Sequence, residues 1–552
     1  MNTPSSNPPS RSCPPLLKWA VVPPVLTLVA VTLLYDPQTT LFSALKLPLL
    51  NLGSLVSVLL LATALRRAPN AVRFDGISLG LMGFFLFAGL SLFWTPSLAA
   101  GVWDLTLFGG VALCMGVFRQ LSMIPSTPEP PQDDACEPSL GTPRWIPLWL
   151  AGAVTGTNLL LCGFAFWGPG PSSGENHLGS TIGNANHFAA FATASLPLSI
   201  WFVWAGAHRL ASKSSWGGEL PKAVRVSIPA VLSGLLGYMT YEVVVFTQCR
   251  SAYVALAAGL ASLFIVGKSP KRKRLLKLGI AALLLAVLIA TAWRYGRNWT
   301  GRIRGRTYLS RLTYRLWRQR PVLGHGIGSF GLRFPQVQAV HLQYNPKDRG
   351  YWTNAQKPHN EPLGLLSELG VFGLLSGVFF LLLLGILAFE VRGPPLGYRR
   401  AGVACLVTLV VTGLAEPTFH IAPLCLLAGL VLGSLLPFHA PSSALLAQWG
   451  ARARISLSPV TLHTAVYALS ALAAGGASYL HIRQYLAERT LARARATRSA
   501  PKRRRLLEEA EASAFQRGRV RFYLGLNHLE QGRHAQALTA LDRSLRDFAN
   551  LG

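Results

Sequence analysis

His359 stands in the run Pro358-His359-Asn360-Glu361, where a basic loop gives way to a long apolar segment. Neutral imidazole, with an ordinary pKa of about 6.5, can take up a proton close to neutrality. The loop before it, residues 294–358, carries thirteen Lys or Arg and one acid, Asp348. A cationic surface with a proton acceptor at its edge suits an anionic substrate, and beside a membrane it suits a lipid-linked one. Solvated cations touching lipid headgroups account for the charge. They do not account for the near-absence of acids together with the histidine. Arg250 lies in a tight turn, Gln248-Cys249-Arg250-Ser251-Ala252, between two apolar runs. An arginine so close to hydrocarbon needs a partner or a polar cavity. An ion pair with Glu242 or Glu416 is the structural answer. A phosphate contact is the functional one, because the guanidinium fork matches phosphate oxygens.

Three further groups stand near these. Gly183-Asn184-Ala185-Asn186-His187-Phe188 closes the loop before an apolar run, and Glu368-Leu369-Gly370 lies inside the run that follows His359. Around residues 304–318, Arg304, Arg311, Arg315 and Arg318 recur at helical spacing, with Tyr308, Leu312 and Leu316 on an adjacent stripe. Such a helix can lie in a membrane interface with its basic side toward phosphates. Gly324, Gly326 and Gly328 follow it at the wrong spacing for a dinucleotide fingerprint. They are expected to form a turn that lets the backbone approach something closely. His325 and His341 are expected to be loop histidines.

The elements that must carry these groups are membrane spans. Of 552 residues, 51% are hydrophobic and 13% charged, against about a quarter charged in soluble domains. Apolar runs of about 20 residues, enough to cross a bilayer, recur along the chain. They predict an all-α polytopic membrane protein of about 12 to 13 transmembrane helices. Residues 1–14 are expected to be disordered, 15–293 to form spans 1–9, 294–360 to be a large external loop, 361–480 to form spans 10–13, and 481–552 to be a soluble helical tail. The net charge of +30 is informative by location. With the amino terminus inside, the inner segments hold twenty-two Lys or Arg, and the short outer loops hold Arg250 alone, as the orientation rule for short loops requires. The loop from 294 to 358 then lies outside. Long loops are exempt from that rule, so its charge is read as serving binding.

The seven cysteines show no disulfide framework or metal spacing. Residues 126–143 form a Pro-rich, acidic inner linker, and the first apolar run is read as a retained helix. In the tail, Leu524-Gly525, Ala537 and Leu541, with Gly532 near a turn, fall at the offsets of one helix-turn-helix repeat of the tetratricopeptide type. A single amphipathic hairpin fits nearly as well. Counting spans puts the tail outside, whereas Arg483, Arg489, Arg493, Arg495, Arg498 and residues 502–505 directly follow the last span and favour the cytoplasm.

Taken together, GNANHF, the CRSA turn, Gly305-Arg306 followed fifteen residues after the arginine by PVLGHGIGSF, and HNEPLGLLSELGVFGLL resemble the O-antigen ligase superfamily. That superfamily includes O-antigen polymerases and protein O-oligosaccharyltransferases. The resemblance covers roughly residues 180–390. It implies a glycosyltransferase of the bacterial inner membrane, working on the external face without metal or other cofactor. The implied partners are a polyprenyl-diphosphate-linked glycan donor, an acceptor hydroxyl on a glycan, lipid or protein, and membrane lipids, with no role for nucleic acid. By motif position, His359 activates the acceptor while Arg250 and Arg306 hold the diphosphate. Arg302, Arg304 and Arg311 compete with Arg306, and Ser310 stands where the family often has tryptophan. Asn184, Asn186, Gly326, Asn360 and Glu368 are assigned supporting roles. Two readings of other classes remain. A transporter calls for charges buried inside several spans, and here Lys46 and Glu242 are the main ones. A noncatalytic envelope scaffold suits the tail but leaves the Arg and His cluster without a purpose.

Overall fold

The computed structural model describes residues 19–39, 43–65, 76–121, 145–167, 181–213, 222–266, 299–389, 395–436 and 459–547. Every regular element among them is helical, the form in which an apolar run satisfies its own backbone away from water. In chain order these are α1 (Val22–Leu33), α2 (Ser43–Leu65), α3 (Gly76–Leu90), α4 (Leu98–Leu121), α5 (Trp145–Trp167), α6 (Ala185–Lys213), α7 (Lys222–Thr247), α8 (Arg250–Ile265), α9 (Trp299–Gln319), α10 (Phe330–Tyr344), α11 (Glu361–Phe389), α12 (Leu396–Gly413), α13 (Ala422–Leu435), α14 (Pro459–Ala496), α15 (Ala500–Ser513), α16 (Gly518–Glu530) and α17 (His534–Asp547). Seven of them, α2, α4, α5, α6, α7, α11 and α14, are long and apolar enough to cross a membrane, and α1, α3, α8 and α13 are shorter apolar helices. The expected span near 276–293, the amino-terminal head and the linker at 126–143 lie outside the described residues.

Helix α13 is buried along its whole length and packs on α4 and α12. Helix α6 lies among α5, α7 and α12, and α8 lies against α12. Small residues allow these approaches: a Cβ at Gly259 of α8 would sit 2.1 Å from Thr408 Oγ1, and one at Gly433 of α13 would sit 2.6 Å from Met115 O. Helices α7 and α11 turn Val231, Leu235, Leu381 and Leu382 outward, as lipid-facing surfaces should. Lys46, one of the two expected intramembrane charges, is buried and donates to the carbonyls of Val31 (2.6 Å) and Leu34 (3.3 Å). It therefore caps the carboxyl end of α1.

The helix ends that concern function gather at one end of the bundle. Thr181 Oγ1 donates to Thr32 O at 2.8 Å, Thr95 Oγ1 to Ile327 O at 2.9 Å, and the Tyr485 hydroxyl to Asp36 Oδ2 at 2.8 Å. In the large loop, Tyr308, Leu309, Leu312 and Leu316 of α9 bury against Phe330, Phe334 and Val337 of α10. The apolar stripe expected to face lipid is thus taken up by protein, while Arg304, Arg311, Arg315 and Arg318 stay exposed. His341, expected in a loop, is buried in the last turn of α10 between Arg315 and Asp348.

The glycine run is a turn locked to a kink. Helix α11 breaks at Gly370 (φ 61°), which frees carbonyls that a continuous helix would use. His325 N donates to Ser367 O (3.0 Å) and Gly326 N to Glu368 O (2.8 Å), while Val371 N turns to Val322 O (3.1 Å). Gly324, Gly326 and Gly328 all have positive φ, and a Cβ on Gly324 would lie 2.3 Å from Glu368 O. Close approach therefore requires glycine on both sides.

The last span continues without a break into the tail. Its 38 residues reach about 57 Å at 1.5 Å per residue, and its carboxyl half pairs with α15. Helices α16 and α17 form a second antiparallel pair around Gly532 (φ 70°), stacked through Ala487, Leu491, Leu507, Ala510, Val520 and Leu524. The tail thus holds two helix pairs where one repeat was legible.

Gly370→Ala is expected to destabilise the protein by about 1–3 kcal/mol for the backbone conformation alone. The added Cβ would also lie 2.1 Å from Val322 O. Thermal unfolding in detergent measures the effect, and an unchanged midpoint would mean that the kink is not constrained.

Candidate active site

The site is built around Glu416, which sequence reasoning considered only as an ion-pair partner for Arg250. It lies in the turn between α12 and α13, and its side chain is 2% exposed. A carboxylate so buried has to be compensated by donors and positive charge. Asn186 Nδ2, in the first turn of α6, donates to Oε1 at 3.0 Å. Arg306 of α9 donates to the same oxygen through Nη2 and to Ala415 O through Nη1. His359 Nδ1 meets Oε2 at 3.0 Å. Burial pushes the Glu416 carboxyl up, but the His359 hydrogen bond and the Arg306 charge outweigh it and hold the group below the ordinary carboxylate range. A depressed carboxylate stabilises the fold at pH above its unfolded value and loses that contribution as pH falls through the folded one. The cluster therefore persists through neutral pH.

His359 is set by its neighbours in the chain. Asn360 caps α11, its Oδ1 accepting from Leu363 N at 3.0 Å and its Nδ2 donating to Leu414 O at 3.2 Å, and Pro362 suits the first turn. The ring is 41% exposed. With Nδ1 on Glu416, Nε2 is the nitrogen that can serve an incoming hydroxyl, and the carboxylate fixes that tautomer. The side chain of Arg306 is 43% exposed. Two of its five N–H donors are engaged, so three remain for a ligand.

Arg250 opens α8 two residues after Gln248, whose φ of 50° is the single positive value for a non-glycine residue among the described residues. Cys249 Sγ lies 4.0 Å from Asn186 O and within the influence of Glu416 and Arg306, and burial pushes its thiol up to about 11. The turn thus sits beside the carboxylate cluster. Asn184 Oδ1 accepts from Asn186 N at 2.8 Å and closes the turn before α6. Arg311 is exposed farther along α9 and is not brought to Glu416. Gly326 and Glu368 belong to the kink lock: the Glu368 carboxylate accepts from Gly328 N (3.0 Å) and Phe330 N (3.1 Å).

A second charged cluster flanks the first, and none of its other members was singled out from sequence. Lys357 Nζ pairs with Asp104 of α4 and lies 3.9 Å from Glu368 Oε1. Glu361 accepts from Phe419 N (2.7 Å) and meets His420 Nδ1 at 3.1 Å. Burial opposes the Lys357 charge, but Asp104 and Glu368 hold the ammonium above its usual value. Asp104, Glu368 and His420 place ligand atoms within 4.8 Å of one another, a donor set that suits a divalent ion, and Lys357 supplies a positive charge there. The legible signal was Asp104, an acid just inside an apolar run.

These features define a class: an all-helical, multi-pass membrane protein with a cluster of charged side chains at one end of its bundle. The family model described as O-antigen ligase matches residues 235–376, the stretch that carries Arg250, Arg306 and His359, and this match supports the resemblance to the O-antigen ligase superfamily. No curated protein matches the chain.

Lys357→Met leaves Asp104 and Glu368 buried without their cation, a loss of about 3–5 kcal/mol for a broken buried pair. Its unfolding midpoint should fall, and adding Asp104→Asn should restore part of the loss. If the double variant is no more stable than the single, Asp104 and Lys357 are not coupled.

Proposed function

We propose that the chain transfers a glycan from a polyprenyl-diphosphate carrier to an acceptor hydroxyl at the external face of the bacterial inner membrane. The observation that carries this reading is the His359–Glu416–Arg306 cluster, formed in large part by the segment that matches the O-antigen ligase family. The orientation proposed is the one with the amino terminus inside. Thirteen spans, the number expected from hydropathy, would then carry the chain across and leave the His359 end outside.

In the proposed reaction, His359 Nε2 accepts the proton of the acceptor hydroxyl as its oxygen attacks the anomeric carbon. The bond between that carbon and the diphosphate oxygen breaks, and the carrier leaves with the electron pair. General-base help of this kind contributes about 10² to 10⁴ in rate. Glu416 is a positioning residue that orients the imidazole and stabilises the imidazolium. Arg250 and Arg306 take up charge developing on the leaving diphosphate. A single displacement inverts the sugar carbon. The acceptor hydroxyl belongs to a glycan, a lipid or a protein.

His359→Ala is expected to abolish transfer by purified protein from a lipid-linked donor while leaving donor binding largely intact. Glu416→Gln should retain some activity with a lowered kcat and donor binding little changed, because the amide oxygen can still accept from Nδ1 but carries no charge to stabilise the imidazolium. A wild-type kcat in folded Glu416→Gln would assign the carboxylate to structure alone. Wild-type transfer by His359→Ala would remove the proposed base.

Arg250→Lys and Arg306→Lys keep charge but lose the bidentate fork, so each should lose most activity. Arg311→Lys should be close to wild type. Loss at Arg311 with a silent Arg306 would move the diphosphate contact about one turn along α9.

A further inference from the structure

Helix α14 rises out of the bundle at His481, whose Nε2 meets Thr106 Oγ1 at 2.7 Å and whose ring packs on Trp103 at 4.6 Å. Both partners lie in the first turns of α4, beside Asp104. Farther along, Tyr485 and Arg489 reach Asp36, with Arg489 Nε 3.3 Å from Oδ2. The tail therefore stands at the His359 end of the bundle.

A cavity of about 1060 Å³ lies between α14, α15 and the segment after α1, lined in part by Pro37, Gln38, Arg483, Arg489, Arg493 and Glu509. Asp36 offsets Arg489, and Arg483 donates to Ala512 O at 2.6 Å. Arg493 is exposed and forms no ion pair among the described residues. With Asp36 set against Arg489 and Glu509 against a second arginine, the lining keeps a net positive charge. A second observation concerns what lies below it. Leu469, Leu472, Tyr479, Ile482 and Leu486 are all exposed, at helical spacing, along the side of α14, and Leu486 also lines the cavity. An apolar stripe that climbs out of the membrane thus ends among arginines. Orientation does not explain these charges, since the short loops at this end hold only Arg250 and positive residues just after a span favour the opposite side.

We propose that this groove binds the phosphate of an anionic phospholipid from the leaflet on the active-site side, with the acyl chains along the α14 stripe. Guanidinium groups match phosphate oxygens, and each basic residue near an anionic headgroup adds attraction. The site is separate from the Glu416 cluster and holds whether or not the proposed transfer is correct.

The test uses the full chain in detergent, with native mass spectrometry counting retained phosphatidylglycerol against phosphatidylcholine. Arg493 is exposed, so R493Q should keep the fold, and thermal unfolding checks this before the R483Q/R493Q pair is measured. Wild type should retain phosphatidylglycerol at least about tenfold over phosphatidylcholine. R493Q should cut that preference several-fold, and the pair should abolish it. L486Q should weaken retention of the lipid. Equal retention of both lipids by wild type, or an undiminished preference in folded R493Q and in the pair, would overturn the proposal. So would displacement of the lipid by inorganic phosphate at equal concentration, which would mark a free-phosphate site.

Discussion

A single buried carboxylate sets the geometry at this end of the bundle. Glu416 cannot be left unpaired in an apolar setting, and its compensation comes from residues 230, 110 and 57 positions away in the chain. Asn186 brings the start of α6, Arg306 brings the loop helix α9, and His359 brings the strap that leads into α11. Removing the negative charge would remove the reason for these segments to meet. The same requirement that assembles the site also orients the imidazole, because a carboxylate on Nδ1 turns the opposite ring nitrogen away from Glu416.

The strap from Lys357 to Glu361 is held at both ends, which is why a histidine on a loop can be placed. At one end Lys357 is drawn into Asp104 and Glu368, and at the other Asn360 caps α11 while Glu361 takes Phe419 N and His420. Glu368 serves two structures at once. Its carboxylate receives the glycine turn, and its carbonyl, freed by the Gly370 kink, receives Gly326 N. The loop that carries α9 and α10 is thereby anchored to the helix that begins beside His359, and local rigidity in α11 becomes positional accuracy for the imidazole.

Features with a local signature were legible in the sequence. Hydropathy marked the helices, Pro358-His359 marked the start of a long apolar run, and three glycines in alternate positions marked a turn made for close approach, which the structure resolves as contact with the α11 kink. Arg306 could not be separated by pattern from Arg302, Arg304 and Arg311, because helical spacing ranks a stripe and not a residue. Glu416 was beyond reach for a different reason: a glutamate after an apolar run looks like any polar residue at a span end until its distant partners are in place. Lys357 is similar: Asp104, an acid just inside an apolar run, signals a partner, but nothing local names a lysine 253 residues away as that partner. In the tail, the first helix of the upper pair is the extension of a membrane span, so hydropathy hid its second role. The sequence does not say whether lipid or a later helix covers the apolar stripe of α9, and the structure packs α10 against it.

Arg306 and His359 share Glu416, and that sharing links the two halves of the proposed reaction. Arg306 lies on Oε1 of the carboxylate and His359 on Oε2, so neither side chain can shift without disturbing the other's partner. In the proposed reaction, a diphosphate that engages the guanidinium would pull on the same carboxylate that orients the imidazole. A site that paired Arg306 and His359 with separate carboxylates would lack this dependence, so under that proposal the single buried glutamate both anchors the fold here and ties the placement of the donor to that of the base.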